Sequence, residues 1–323
     1  MLRTALALAL LVTGLTGCGA ATGDTGAGDD GGPITLGFSQ VGSESAWRVA
    51  NTRSIEEAAA AAGVDLDLRE GQQRQEQQIA DIRDFISRRL DVIAFSPVVE
   101  SGWDGVLQEA KDAGIPVIVT DRSVDTTDTS LYAAELGSDF VAEGRKAGEW
   151  LVEQYRRADG PVRIVEIEGT TGSAPANGRL AGFAEAIRAD PDLQVIDSRD
   201  GGFTHDGGRS AMAGFLAEHA DIDAVFAHND EEGIGAAAAI EEAGRKPGQD
   251  IKIITVDASR DGLTALVAGR LNFVVECNPL LGPQLMDLVA KAAAGETMPR
   301  RVTVTETVFD AKAAEAALPT REY

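Results

Sequence analysis

The chain has 323 residues, 44% of them hydrophobic, which is enough for two domains with cores of their own. No apolar run in its body reaches the length of a membrane helix. Its 52 acidic against 29 basic residues give a formal charge of −23, which excludes nucleic acid and anionic lipid as adsorbing partners; the acids are spread along the chain and read as a solvated surface.

The first residues have the layout of a secretory signal: Arg3, an apolar stretch at 5–12, then Leu15-Thr16-Gly17-Cys18. Small residues before a cysteine resemble a bacterial lipobox. That resemblance implies removal of residues 1–17 and acylation of Cys18, whose diacylglycerol supplies the two chains that stable anchoring takes. Residues 18–32 are almost wholly Gly, Ala, Thr and Asp and read as a flexible tether. With Cys18 used, Cys277 is the remaining cysteine, so no internal disulfide forms and packing carries the stability.

Short β-rich runs then alternate with Ala-rich amphipathic ones. Strands are expected at 34–38, 64–68, 92–95 and 117–119, and helices at 46–62, 75–88 and 103–113; 132–136 is a further strand or crossing segment. The rhythm restarts with helices at 139–155, 175–188, 205–219, 231–243, 261–268 and 280–294, and strands at 162–167, 194–198, 224–227, 251–256 and 273–275. Alternation with connections this short implies parallel sheets with helices on both faces. So many units exceed one sheet of common size, and the fold class is α/β with two similar Rossmann-like lobes.

In open α/β sheets, ligands bind beyond the carboxyl ends of the strands. The segments there are Ser39-Gln40 and 42–48, the latter holding Ser43, Glu44, Trp47 and Arg48; then 71–73, Asp121-Arg122, 169–172, Gly201-Gly202-Phe203, Asn229-Asp230, Asp257, and Glu276 with Asn278. Carboxylates accept from sugar hydroxyls, arginine donates with a planar fork, and asparagine does both. Trp47 and Phe203 would pack on the apolar faces of a sugar ring. Each residue has a plainer alternative: Asp121, Asp230 and Asp257 as helix caps, Trp47 as core, Arg48 and Arg179 on solvated faces. Their convergence at one end of both sheets favours a binding cleft.

At this point the sequence resembles periplasmic sugar-binding proteins of the ribose-binding type, and among them the galactofuranose-binding branch of ABC importers. The segments that carry it include GFSQVGSESAWR (37–48), GQQRQEQQI (71–79), SPVVESGW (96–103), DRSVD (121–125), EIEGTTGSAPANGR (166–179), GGFTHDGG (201–208) and AHNDEEGIGA (227–236). The resemblance implies a type I periplasmic binding protein, with two lobes joined by a three-segment hinge and a monosaccharide between them. The first lobe would be 33–136 plus 279–302, the second 137–278 plus 303–323. Trp47, Arg48, Asp121 and Arg122 would contact the sugar from the first lobe, together with Ser43 and Glu44. Arg179, Phe203, Asn229 and Asp257 would close from the second, with Glu276 or Asn278 beside them. The chain differs from the galactofuranose type at 175–178 and at Gly202, so ribose, arabinose, xylose, fructose and galactopyranose stay open as ligands. The implied partners are the sugar, importer permease subunits and the membrane through Cys18, with the chain a monomer on the extracytoplasmic side; no cofactor, metal or nucleic acid is expected. Presentation of the sugar to a membrane sensor uses the same chemistry.

Rival readings fit less well. A repressor of this fold would carry a helix-turn-helix where this chain has its export signal, and a basic surface. A sugar hydrolase needs two carboxylates at a set separation, and no motif places an activated nucleophile. No run matches a calcium loop with its closing glutamate.

Overall fold

Within residues 32–323, which the computed structural model describes, the alternation yields two six-stranded sheets. The leader at 1–17, Cys18 and all but the last residue of the 18–32 tether lie outside the described residues. The chain begins β1 (Thr35–Gln40), α1 (Ala46–Ala62), β2 (Asp65–Glu70), α2 (Gln75–Ser87), β3 (Val92–Phe95), α3 (Asp104–Asp112), β4 (Val117–Asp121) and β5 (Ala134–Gly137). It continues α4 (Phe140–Tyr155), β6 (Val162–Glu168), α5 (Ala174–Ile187), β7 (Leu193–Asp200), α6 (His205–Glu218), β8 (Ala224–Ala227), α7 (Asp230–Glu242), β9 (Lys252–Asp257), α8 (Arg260–Val267) and β10 (Phe273–Glu276). Last come α9 (Gly282–Ala293), β11 (Arg301–Thr303), β12 (Val308–Phe309) and α10 (Ala311–Ala317). Among the described residues no helix is long and apolar enough to cross a membrane.

The strand orders are β2-β1-β3-β4-β5-β11 and β7-β6-β8-β9-β10-β12. All pairs are parallel except β10 with β12. Central strands such as β3 and β8 are buried along their whole length, as helices on both faces require, whereas the edge strand β2 (DLDLRE) has no fully buried residue. In the first sheet, α1 and α9 pack on one face around Ile55 and Leu285, and α2 and α3 on the other around Phe85 and Leu107. In the second, α4 and α5 cover one face around Leu151 and Phe183, and α6, α7, α8 and α10 the other around Phe215 and Ile240.

The chain passes between the sheets three times: after β5, after β10 and after β11. The stretch 279–302, expected to belong to the first lobe, holds α9 followed by Gly295 at φ 67° and then β11, which pairs with β5. In each lobe the strand order reverses at the first strand, β1 or β6, so a crevice opens beside its carboxyl end. The two crevices form the walls of the site below.

Candidate ligand-binding site

The first wall is built at the start of α1. The Ser45 hydroxyl accepts from Arg48 N at 3.2 Å and caps the helix. That cap turns Trp47 and Arg48 inward; both are buried. The Trp47 indole donates to Cys277 O at 2.7 Å. The Arg48 guanidinium donates from Nη1 to Asp121 Oδ2 at 2.6 Å and from Nε to Glu44 Oε1 at 3.2 Å. Ser96, after β3, donates to the same Asp121 oxygen at 2.8 Å. Arg122 donates to Val98 O at 3.1 Å and lies 3.7 Å from Glu44. Burial opposes charge on Arg48, but Asp121 and Glu44 outweigh it and its pKa rises. On Arg122, burial and the like charge of Arg48 win, pressing its guanidinium down to about 10.

The second wall centres on Arg179. Helices α4 and α5 touch backbone to backbone there: a Cβ on Gly144 would stand 2.0 Å from Arg179 O, and one on Gly182 2.0 Å from Val141 O. This close approach brings Glu143 of α4 against Arg179 of α5, with Nε donating to Oε2 at 2.7 Å. Arg179 also donates to His228 O at 2.6 Å and faces Asp257 at 3.9 Å. The Phe203 ring lies between the arginines of the two walls, 5.4 Å from the Arg122 guanidinium and 5.9 Å from that of Arg179. Gly169 makes room for it, since a Cβ there would stand 1.9 Å from the ring. Burial pushes the carboxyl groups of Asp257 and Glu232 well above the usual carboxylate range, against the pull of Arg179 on both.

Between the walls lies a narrow cavity, lined by Glu44, Ser45, Trp47, Arg48, Asp121, Arg122, Phe140, Pro175, Arg179, Phe203, Asn229, Asp257 and Cys277. Glu44 Oε2 and Arg122 Nε are buried with no hydrogen-bond partner among the described residues, and the Asp257 carboxylate makes no hydrogen bond among them either. Unpaired polar atoms out of contact with water mark places where a ligand completes the bonding. Asp121, Phe203 and Asp257 have φ of 62°, 62° and 119°. Side chains rarely adopt that backbone, and three instances around one cavity are strain of the kind held at functional sites.

Of the residues expected here, Glu44, Trp47, Arg48, Asp121, Arg122, Arg179, Phe203, Asn229 and Asp257 come together around the cavity. Ser43 does not: it is exposed, and Ser45 takes the inward place as the cap. Glu276 does not either. Strand alternation turns it away from the cavity, where it accepts from Arg321 at 2.7 Å, Thr307 N at 3.0 Å and Tyr323 OH at 3.1 Å. Asn278 is engaged with Leu280 N at 2.9 Å, and the residue between the two, Cys277, lines the wall. Asn229 spends its side chain on the protein, capping α7 at Glu232 N and donating to Phe203 O at 3.1 Å, so it positions Phe203. Glu143, Phe140 and Pro175 were missed because they sit on helices, where burial is not visible in strand-end segments.

Across the mouth, Glu100 N donates to Gly172 O at 2.9 Å and the Asn177 amide donates to the Glu100 carboxylate. Ala46 N reaches Glu231 Oε1 at 3.4 Å. These contacts join the two lobes, so the cleft is shut in this structure.

A family profile described as periplasmic binding protein domain matches residues 36–297. The chain belongs to the periplasmic binding protein family. It is 42% identical over 280 residues to the galactofuranose-binding protein YtfQ of Escherichia coli, covering 86% of this chain and 87% of that one. A Mycobacterium smegmatis protein solved in complex with β-D-fucofuranose is 56% identical and superposes with a TM-score of 0.89 over 90% of this chain and 95% of that one. A second M. smegmatis structure, described without a sugar, is 55% identical over 90% and 96% of the two chains but superposes at only 0.70.

Proposed function

We propose that this chain is an extracytoplasmic solute-binding protein of an ABC-type importer that closes on a monosaccharide in its furanose form, with galactofuranose the best candidate. The observation that carries this is the shut cavity itself. Two aromatic rings, Trp47 and Phe203, stand beside buried carboxylates and guanidinium groups that include the unpaired Glu44 Oε2 and Arg122 Nε. Rings suit the C–H faces of a sugar, and alternating donors and acceptors suit its hydroxyls. The two relatives named with a ligand both take a furanose. The three connections between the lobes support opening and closing of the cleft about them.

Binding without turnover is the reading, since the carboxylates that face the cavity are placed beside arginines as hydroxyl acceptors. The chain acts as a monomer, held at the membrane by lipid on Cys18. Cys18→Ser is expected to leave the membrane fraction, and a variant that stays there removes the anchor from the account.

Calorimetry with D-galactose, D-fucose, L-arabinose and D-ribose tests the sugar class. D-galactose and D-fucose share the configuration at their ring hydroxyls and are expected to bind, with apparent affinity lowered by the small share of furanose in solution. Preference for D-ribose over both, or no binding by any of the four, contradicts the reading.

A further inference from the structure

The three connections between the lobes meet at one carboxyl group. Ser138, on the first, donates its hydroxyl to Glu306 Oε1 at 2.5 Å. Asn278, on the second, donates its backbone N–H to the same oxygen at 3.0 Å. Glu306 itself stands on the third, between β11 and β12. Beside it Glu143 is fully buried; its Oε2 accepts from Arg179, and its Oε1 has no partner. One oxygen from each of the two carboxyl groups and the Cys277 sulfur all lie within 4.8 Å of one another. Two carboxylates this close, one with a bare buried oxygen, repel unless a proton lies between them. Glu143 Oε2 is committed to Arg179, and Glu306 Oε1 to two donors, which leaves Glu306 Oε2 as the oxygen free to carry that proton.

We propose that Glu306 is a protonated hinge residue that positions Glu143, and through it the Arg179 of the cavity, and that shutting the cleft takes this proton up. The second half rests on the cleft being the sugar site; the first does not. Among the described residues no cation contacts the Glu306 carboxyl group; the nearest guanidinium partner of the pair, Arg179, is spent on Glu143. From α4, Lys146 meets the Glu306 backbone oxygen, at 3.4 Å, and from β11, Arg301 is taken by Glu135 and by Ser138 O, at 3.0 Å. From β10, Glu276 is occupied by Arg321 and Thr307 N. Beyond Glu143 lie Arg179 from α5 and Asp257 at the end of β9, and the Cys277 thiol is held neutral by burial, its pKa raised. Burial, with the charge of Glu143 added, pushes the Glu306 carboxyl up to about 8. Its proton is therefore bound more tightly in this fold than in an unfolded chain, where the carboxyl group is solvated. The stabilisation is complete below the ordinary carboxylate range and is lost as the pH rises from there toward about 8, after which the curve levels.

Glu306→Gln keeps an acceptor for Ser138 and Asn278 and replaces the proton by a permanent donor. In urea melts without sugar, the stability of the variant relative to the parent is expected to be greater at pH 9 than at pH 6; an equal difference at both pH values overturns the shared proton. In calorimetry, parent affinity for D-galactose is expected to fall about tenfold between pH 6 and pH 9, while that of Glu306→Gln stays within about twofold. Asp257 and Glu232 also gain protons on burial, and the comparison between parent and variant removes their common contribution. At pH 7 the parent should take up protons on binding, seen as a heat that depends on the buffer's ionisation enthalpy. Binding that is independent of pH, or that is lost on adding a chelator because a cation occupies the pair, overturns the proposal. If D-galactose does not bind at any pH, the sugar reading fails while the melts still decide the proton.

Discussion

Replacing Asp121 by alanine is expected to remove about 3–5 kcal/mol of stability and most of the sugar affinity. Its carboxylate is the acceptor for Arg48 at 2.6 Å and for Ser96 at 2.8 Å, and it lies 3.8 Å from Arg122. Without it, two buried guanidinium groups share Glu44 alone. Arg122 is already pressed down by burial and by Arg48, so it has no reserve of compensating charge. Breaking a buried pair from one side leaves an uncompensated charge, which is why the expected loss exceeds that of a surface bridge several-fold. Alanine adds a smaller penalty because the backbone here has φ 62°, a region that aspartate and asparagine tolerate better. Asp121→Asn separates the two effects: it keeps the backbone and the shape while losing the charge. Denaturant melts and calorimetry on both variants would show a stability order of parent, asparagine, alanine. If Asp121 also accepts from a sugar hydroxyl, an analogue lacking that hydroxyl loses much less than the full ligand. Near-native binding by Asp121→Asn would remove the charge from the site's chemistry.

Arg179→Met is expected to destabilise the chain by about 3–5 kcal/mol near neutral pH, and by less in acid. The arginine is the cation nearest three buried acids: Glu143 at 2.7 Å, Asp257 at 3.9 Å, and Glu232, on which it exerts a lowering pull. Burial already raises the carboxyl pKa of Asp257 and of Glu232, and removing the arginine takes away the opposing effect. Carboxyl groups with a raised folded pKa bind more protons in the native state than in the unfolded one. Stability then falls as the pH rises through the window above the ordinary carboxylate range. The deficit of the variant should therefore be smaller at pH 5 than at pH 8 in urea melts. A deficit of the same size at both would mean that lost packing of the side-chain stem, not lost charge, is what the substitution removed.

Much of this was legible in the sequence because period and punctuation agreed along the chain. Runs such as VIAF and AVFA, buried on both faces, have no other use than a central parallel strand, and the glycines at 63, 114 and 244 end helices where expected. The site was legible to the extent that polar residues follow strands. What remained hidden depends on direction and distance. Ser43 and Ser45 are two residues apart, and only the helix start decides which one turns inward. Glu276 is an attractive candidate by its chemistry, but its partners Arg321 and Tyr323 are some 45 residues further along the chain, and no local pattern connects them. Arg179 enters the site through the resemblance, since by composition its Ala- and Gly-rich helix fits a solvated face as well; the close contact with α4 is what buries it, and the same contact reveals Glu143. The positive φ angles of Asp121, Phe203 and Asp257 have no sequence signature, since none is glycine.

The central claim is that the closed cleft holds a furanose between Trp47, Phe203, Asp121 and Asp257. The most direct measurement is a crystal structure of the chain grown with D-galactose, which offers both ring forms and leaves the choice to the protein. The expected result is a five-membered ring in the cleft, with hydroxyls within hydrogen-bond distance of the Asp257 carboxylate and of Glu44 Oε2 and Arg122 Nε, two buried atoms with no hydrogen-bond partner among the described residues. A six-membered ring in the cleft, or a sugar bound elsewhere while the cleft stays empty, would contradict it.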